Sequence, residues 1–109
     1  MRVKVILVFN PNAPCYMTAE INRRVPNYII QVVLDVLFEL SRVRGNKMDY
    51  LQVFSVTPEG NRLTIQNHQE MPPEEQSVAI DNTLKLDESF TIWVIWENDH
   101  TIVLFPSDY

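Results

Sequence analysis

FTIWVIWENDHTIVLFP (90–106) decides the fold. Two runs rich in Ile, Val, Trp and Phe, the residues that suit a pleated surface, flank a short polar break. With Asn98 and Asp99 as the loop, counting outward sets Glu97 opposite His100, Trp96 opposite Thr101, Ile95 opposite Ile102, Val94 opposite Val103, and Trp93 opposite Leu104. One face of this hairpin then carries Ile92, Val94, Trp96, Val103 and Phe105. The other carries Trp93, Ile95, Ile102 and Leu104. Neither face is polar, and one helix covers only one face of a sheet.

The helix to cover it lies upstream, in NYIIQVVLDVLFELSRVRGNK (27–47). Pro26 suits a helix start because it has no N–H to leave unpaired, and Gly45 can take the left-handed closing conformation. Arg42, Arg44 and Lys47 fall near the negative end of the dipole. Gln31, Asp35, Glu39 and Arg42 draw one polar stripe, along which Glu39 and Arg42 can pair. Apolar residues occupy the rest of the circumference, a wider arc than one sheet face needs. A largely buried helix is therefore expected, covered on its flank by the Asn10–Arg24 segment or by a second copy in a homodimer.

The remaining elements follow from turn chemistry and alternation. Val3–Phe9 is apolar on both sides and reads as an extra N-terminal strand over residues 1–9, ended by NPNAP. Thr18 can cap a short helical turn through Arg24, with Glu20 near its positive end. DYLQVFSV (49–56) and RLTIQNH (62–68) form a hairpin about the turn TPEGN (57–61). EMPPEEQ (70–76) reads as an acidic, proline-broken loop, QSVAI (76–80) as at best a short strand, and NTLKLDES (82–89) as an exposed connection. The expected architecture is one α+β domain over 1–109: a mostly antiparallel sheet of about four to six strands with the long helix packed on it.

Composition bounds the function. The 109 residues allow one core, and a hydrophobic fraction of 46% with 21% charged residues is that of a globular chain. A single cysteine, Cys15, cannot form an internal disulfide, which fits a cytoplasmic setting. The apolar run at the start is too short for a signal peptide, and no apolar stretch approaches a membrane span. The net charge of −5 is unevenly spread: seven Lys/Arg against three Asp/Glu up to Lys47, then two against eleven. Solvated charges that simply fell this way are the plain explanation; an electrically polar surface, or head-to-tail pairing of copies, are the alternatives.

YMTAEINRRVP (16–26), DYLQVF (49–54), HQEMP (68–72) and NDHTIVLFPSDY (98–109) occur together and in this order. In this the chain resembles the small bacterial family catalogued as domain of unknown function 960. That family is found in low-GC Gram-positive bacteria, staphylococci among them, and in their phages and mobile elements. The resemblance covers residues 16–109. It implies a small α+β domain and a cytoplasmic setting, and no catalytic role for any residue.

Each candidate for chemistry has a plainer structural explanation. Cys15, in a segment that reads as irregular between Pro14 and Tyr16, would need a lowered pKa and a basic partner, His68 or His100, to act as a nucleophile. His68 and His100 with Glu70 or Asp99 lack the spacing of a metal site. Glu70, Glu74 and Glu75 crowd two prolines and suit docking of a basic partner better than acid–base catalysis. With only Gly45 and Gly60, no glycine-rich phosphate loop exists. Arg23, Arg24, Arg42, Arg44 and Lys47, with Tyr28 or Tyr50 for stacking, could grip nucleic acid, against which a pI near 4.9 weighs. The expectation is a small non-enzymatic binding or regulatory protein acting on a protein partner, without cofactor or metal. Its candidate contact residues are Arg23, Arg24, Glu70, Glu74, Glu75 and His100. A nucleic-acid binder, and a small enzyme using Cys15, are the alternatives.

Overall fold

The C-terminal hairpin forms in the register counted from its sequence. In the computed structural model, Trp93 faces Leu104, Val94 faces Val103, Ile95 faces Ile102 and Trp96 faces Thr101. The Glu97 N–H donates to the His100 carbonyl at 2.8 Å, and Asn98 turns the chain at a φ of 70°. Asn tolerates that left-handed conformation better than most residues. The structure describes residues 13–109, so the strand expected at Val3–Phe9 lies outside the described residues.

The described chain runs β1 (Cys15–Met17), α1 (Ala19–Arg24), α2 (Asn27–Arg44), β2 (Leu51–Glu59), β3 (Arg62–Glu70), β4 (Pro73–Asp81), β5 (Phe90–Trp96) and β6 (Thr101–Leu104). Short 3-10 turns follow α2 and β6. The strands form one sheet in the order β1-β6-β5-β2-β3-β4, antiparallel throughout except where β1 runs parallel to β6. This is the mixed α+β arrangement expected, with six strands.

The core lies between one sheet face and the helices. Phe54, Val56, Leu63, Ile65, Ile92, Val94 and Val103 alternate inward from four strands to meet Ile29, Val33 and Leu37 of α2 and Ile21 of α1. Each side chain so enclosed contributes roughly 1.5–3 kcal/mol by leaving water. Thr18 caps α1 as expected, its Oγ1 accepting from the Ile21 N–H at 3.3 Å. The same hydroxyl donates to Asp108 Oδ2 at 2.8 Å, and that oxygen also accepts from the Phe105 N–H at 3.1 Å, so the C-terminal turn is tied to the start of α1.

Four expectations change. First, α2 is less enclosed than its composition suggested. Ile29, Ile30, Val33, Leu37, Leu40 and Ser41 are buried, but Phe38 is 37% exposed and Val43 is 70% exposed. The expected stripe of Gln31, Asp35, Glu39 and Arg42 is solvated, and apolar residues share the solvent side with it. Second, the turn between β2 and β3 is only Gly60 and Asn61; Thr57, Pro58 and Glu59 extend the strand. Third, the acidic segment is not a loop. A tight turn at Met71-Pro72, with a cis peptide, returns the chain directly into a nine-residue strand that contains Glu74 and Glu75. Pro73 is tolerated because it opens a strand at the sheet edge, where a missing N–H costs no ladder bond. Fourth, Cys15 lies in a strand rather than in irregular chain, because Thr101 donates to the Pro14 carbonyl and Thr18 to the Val103 carbonyl, at 3.0 and 3.1 Å.

Candidate functional site

The residues first considered for chemistry are dispersed. Cys15 sits on β1 opposite Thr101 with an exposed side chain, yet the desolvation around its thiol still pushes the pKa up, opposite to what a nucleophile requires. His100 is in the β5–β6 turn, its Nδ1 2.7 Å from Asp99 Oδ1 and its ring edge-on to Tyr16 at 5.6 Å. His68 belongs to a row that crosses the sheet as Glu75, His68, Val53, Trp93, Leu104. Three strand spacings, about 14 Å, separate it from β6. Among the described residues no hydrogen bond or ring contact joins Cys15 to either histidine, and no group of three or more His, Cys, Asp or Glu is placed to hold a metal.

The basic residues likewise form no single patch. Arg23 and Arg24 both pair with Glu20, Arg24 at 3.6 Å, and the Arg24 guanidinium lies 4.7 Å over the Phe105 ring. Arg42 pairs with Glu39 one turn back. The two basic groups stand at opposite ends of an 18-residue helix, about 25 Å apart.

Arg44 instead enters a polar cluster beneath the end of α2. Its Nη1 donates to Gln69 Oε1 at 2.9 Å and to Gln52 Oε1 at 3.3 Å. Gln52 Nε2 donates to Gln69 Oε1 at 2.7 Å, and Asn67 Nδ2 to Gln52 Oε1 at 2.9 Å. Gln69 Nε2 reaches the carbonyls of Lys47 and Pro72 at 2.8 and 3.0 Å. Burial lowers the Arg44 pKa, and the nearby Glu74 opposes that shift. The three amides are almost wholly enclosed, so the cluster is structural cement between α2, β2, β3 and the β3–β4 turn.

Two concavities open on the described surface. One, of about 350 Å³, is lined by Arg24, Val25, Phe105 and the Leu86–Phe90 segment, which includes Asp87 and Glu88. The other, of about 500 Å³, runs between α2 and β4. Val36, Leu40 and Val43 line it from α2 together with Asp35 and Glu39, and Gln76, Ser77 and Val78 line it from β4. It opens beside the last strand of the sheet, whose far side pairs with no described strand. Of the expected contact residues, Glu74 and Glu75 lie on this strand and Glu70 just before it, while Arg23, Arg24 and His100 lie elsewhere.

The backbone of β4 follows from its register. The Asn82 N–H donates to the Asn61 carbonyl at 2.8 Å, and this pair continues the β3–β4 register by one step. Bonded pairs alternate in an antiparallel ladder, so Ile80, Val78, Gln76 and Glu74 spend their backbone groups on β3. Glu75, Ser77, Ala79 and Asp81 therefore turn theirs to the outer edge, where Arg62 Nη2 donates to the Ala79 carbonyl at 3.4 Å. Sequence reading allowed at best a short strand at 76–80, where the structure has nine residues from Pro73 to Asp81, and it did not single out the groove residues Val36, Val43 and Val78. The signal available was the alternation Ser77-Val78-Ala79-Ile80, masked by the two prolines before it.

A crystal structure of a protein of unknown function from Enterococcus faecalis superposes with a TM-score of 0.76 at 14% identity, over 96% of this chain and 98% of that one. At that identity the likeness concerns the fold alone. Comparison with curated proteins gives no match. The family model described as staphylococcal protein of unknown function (DUF960) matches residues 15–108, and the chain belongs to that family.

Proposed function

We propose that this protein is a small non-catalytic binding module that acts on a protein partner in the cytoplasm. The observation that carries this reading is the groove between α2 and β4, set beside a nine-residue strand whose outer edge pairs with no described strand. A trough with apolar side chains next to edge-facing backbone groups, of which the Ala79 carbonyl accepts from Arg62 at 3.4 Å, suits a polypeptide better than a small substrate, because a peptide can use both at once. Val43, an apolar lining residue that is 70% exposed, gains by being covered. Glu70, Glu74 and Glu75 become contact residues on this reading. Arg23, Arg24 and His100 stay secondary candidates.

A photo-crosslinking residue at Val43 tests it in living cells of the source bacterium. The expected result is an adduct of discrete polypeptide mass at Val43 and none at Leu84, which is 55% exposed but remote from the groove in the 82–89 connection. Equal labelling at both positions, or at neither, overturns the proposal.

A further inference from the structure

The chemistry of the partner can be taken one step further, on the footing that the module reading holds. We infer that the open edge of β4 accepts an extended segment of another protein as a seventh strand, and that this segment alternates apolar and basic residues.

The alternation comes from the two faces of β4. Val78 and Ile80 point to the helix side and are half-buried against the core, with the groove walled by Val36, Leu40 and Val43 directly above. Glu75, Ser77, Ala79 and Asp81 point to the opposite face, so carboxylates stand near both ends of the strand. A strand added about 4.8 Å beyond β4 repeats this arrangement, because side chains of neighbouring strands align on the same face. Its inward residues enter the groove and meet apolar walls. Its outward residues lie beside Glu75 and Asp81.

Charge selects the occupant. Asp35, Glu39, Glu74, Glu75 and Asp81 surround the edge and the groove mouth. Arg42 pairs with Glu39, Arg44 lies near Glu74, and Arg62 stands 4.0 Å from Asp81 and donates to the Ala79 carbonyl at 3.4 Å, which sets three guanidinium groups against the five carboxylates. The balance is acidic, so Lys or Arg is favoured at the outward positions of the incoming strand, beside Glu75 and Asp81. A second copy is the wrong partner here: pairing β4 with its own symmetry mate would bring Glu74, Glu75 and Asp81 of each chain to one junction.

The test uses the whole protein and the peptide Ac-KVKVKVKVK-amide, with Ac-EVEVEVEVE-amide and a version with proline at the fifth position as controls. Amide exchange is read residue by residue. The expected result is at least about tenfold slower exchange at Ser77, Ala79 and Asp81 with the lysine peptide, and no slowing with either control. Ser77→Pro should remove the effect without opening the β3–β4 ladder, since the Ser77 N–H faces away from β3. If its spectrum shows a disturbed fold, Glu75→Lys with Asp81→Lys decides instead, and should weaken binding at least about tenfold. Shifts confined to the carboxylates with no slowed exchange would overturn the inference, as would equal binding of the proline peptide. So would protection of this edge, with a doubled solution mass, before any peptide is added. Should the peptide fail while Val43 still crosslinks a polypeptide, the alternating basic strand is wrong and the module reading stands. Failure of both removes both.

Discussion

Replacing Gln69 with Leu tests whether the cluster beneath α2 fixes the end of the helix to the sheet. Gln69 is 2% exposed and makes five hydrogen bonds: its Oε1 accepts from Arg44, Gln52 and the Asp49 N–H, and its Nε2 donates to the Lys47 and Pro72 carbonyls. The bond from Arg44 is charge-assisted, and such a bond contributes about 1.5–3 kcal/mol, while neutral ones contribute about 1 each. The gross sum, about 6 kcal/mol, overstates the loss. Leucine occupies nearly the same volume and gains on burial, and Arg44, Lys47 and Pro72 can turn to water. A net destabilisation of about 3–4 kcal/mol is expected. For a chain of this size that is a fall in Tm of about 12–16 °C. The assay is urea unfolding followed by circular dichroism and Trp fluorescence, with Gln66→Leu as control. Gln66 is exposed on the same strand, its one side-chain bond is a 3.5 Å contact to Glu75, and it should change stability by less than about 0.5 kcal/mol. A loss below about 1 kcal/mol for Gln69→Leu would refute the reasoning. It would mean that water already satisfies these groups.

Three further outcomes are expected. Gly45→Val should cost about 1–2 kcal/mol in the same unfolding assay, because Gly45 closes α2 at a φ of +57°; nothing lies within 4 Å of an added Cβ, so the penalty is purely one of backbone conformation. Thr18→Ala should cost about 1–2 kcal/mol, since it removes both the α1 cap and the anchor of Asp108, whereas Thr18→Ser should cost less than half as much. Cys15 should be alkylated by iodoacetamide at pH 8 more slowly than a cysteine in an unstructured peptide. Its raised pKa means less thiolate at any pH below that value, and the deficit should narrow as pH rises through it; equal or faster alkylation would restore Cys15 as a nucleophile candidate.

How far the sequence could be read depended on whether local chemistry or distant partners set each element. Where a turn residue and an alternating run agreed, as at Asn98 and Gly45, register and helix end were legible to the residue. Thr18 was equally plain, because a cap bonds three residues along its own chain. Cys15–Met17 was not, since its strand conformation is imposed by β6, some 85 residues later, and three residues carry no period of their own. The same distinction explains β4. Pro72, Pro73, Glu74 and Glu75 each disfavour a strand locally, yet β3 supplies a complete ladder for the segment to follow, and the fold overrides the propensity.

That override bears on function. Edge strands rich in charge, with a proline at one end, are the usual means of discouraging stray pairing. Here the protection is incomplete: the carboxylates sit toward the ends of β4, and Ser77, Val78 and Ala79 leave its middle uncharged beside an apolar groove. A strand shielded only against acidic partners stays open to basic ones. The feature that hid this segment from sequence reading, its run of Glu and Pro, is thus also what would make it selective. Reversing Glu75 and Asp81 to Lys separates the two roles, since the fold should survive the exchange while the preference for a basic strand should turn to an acidic one.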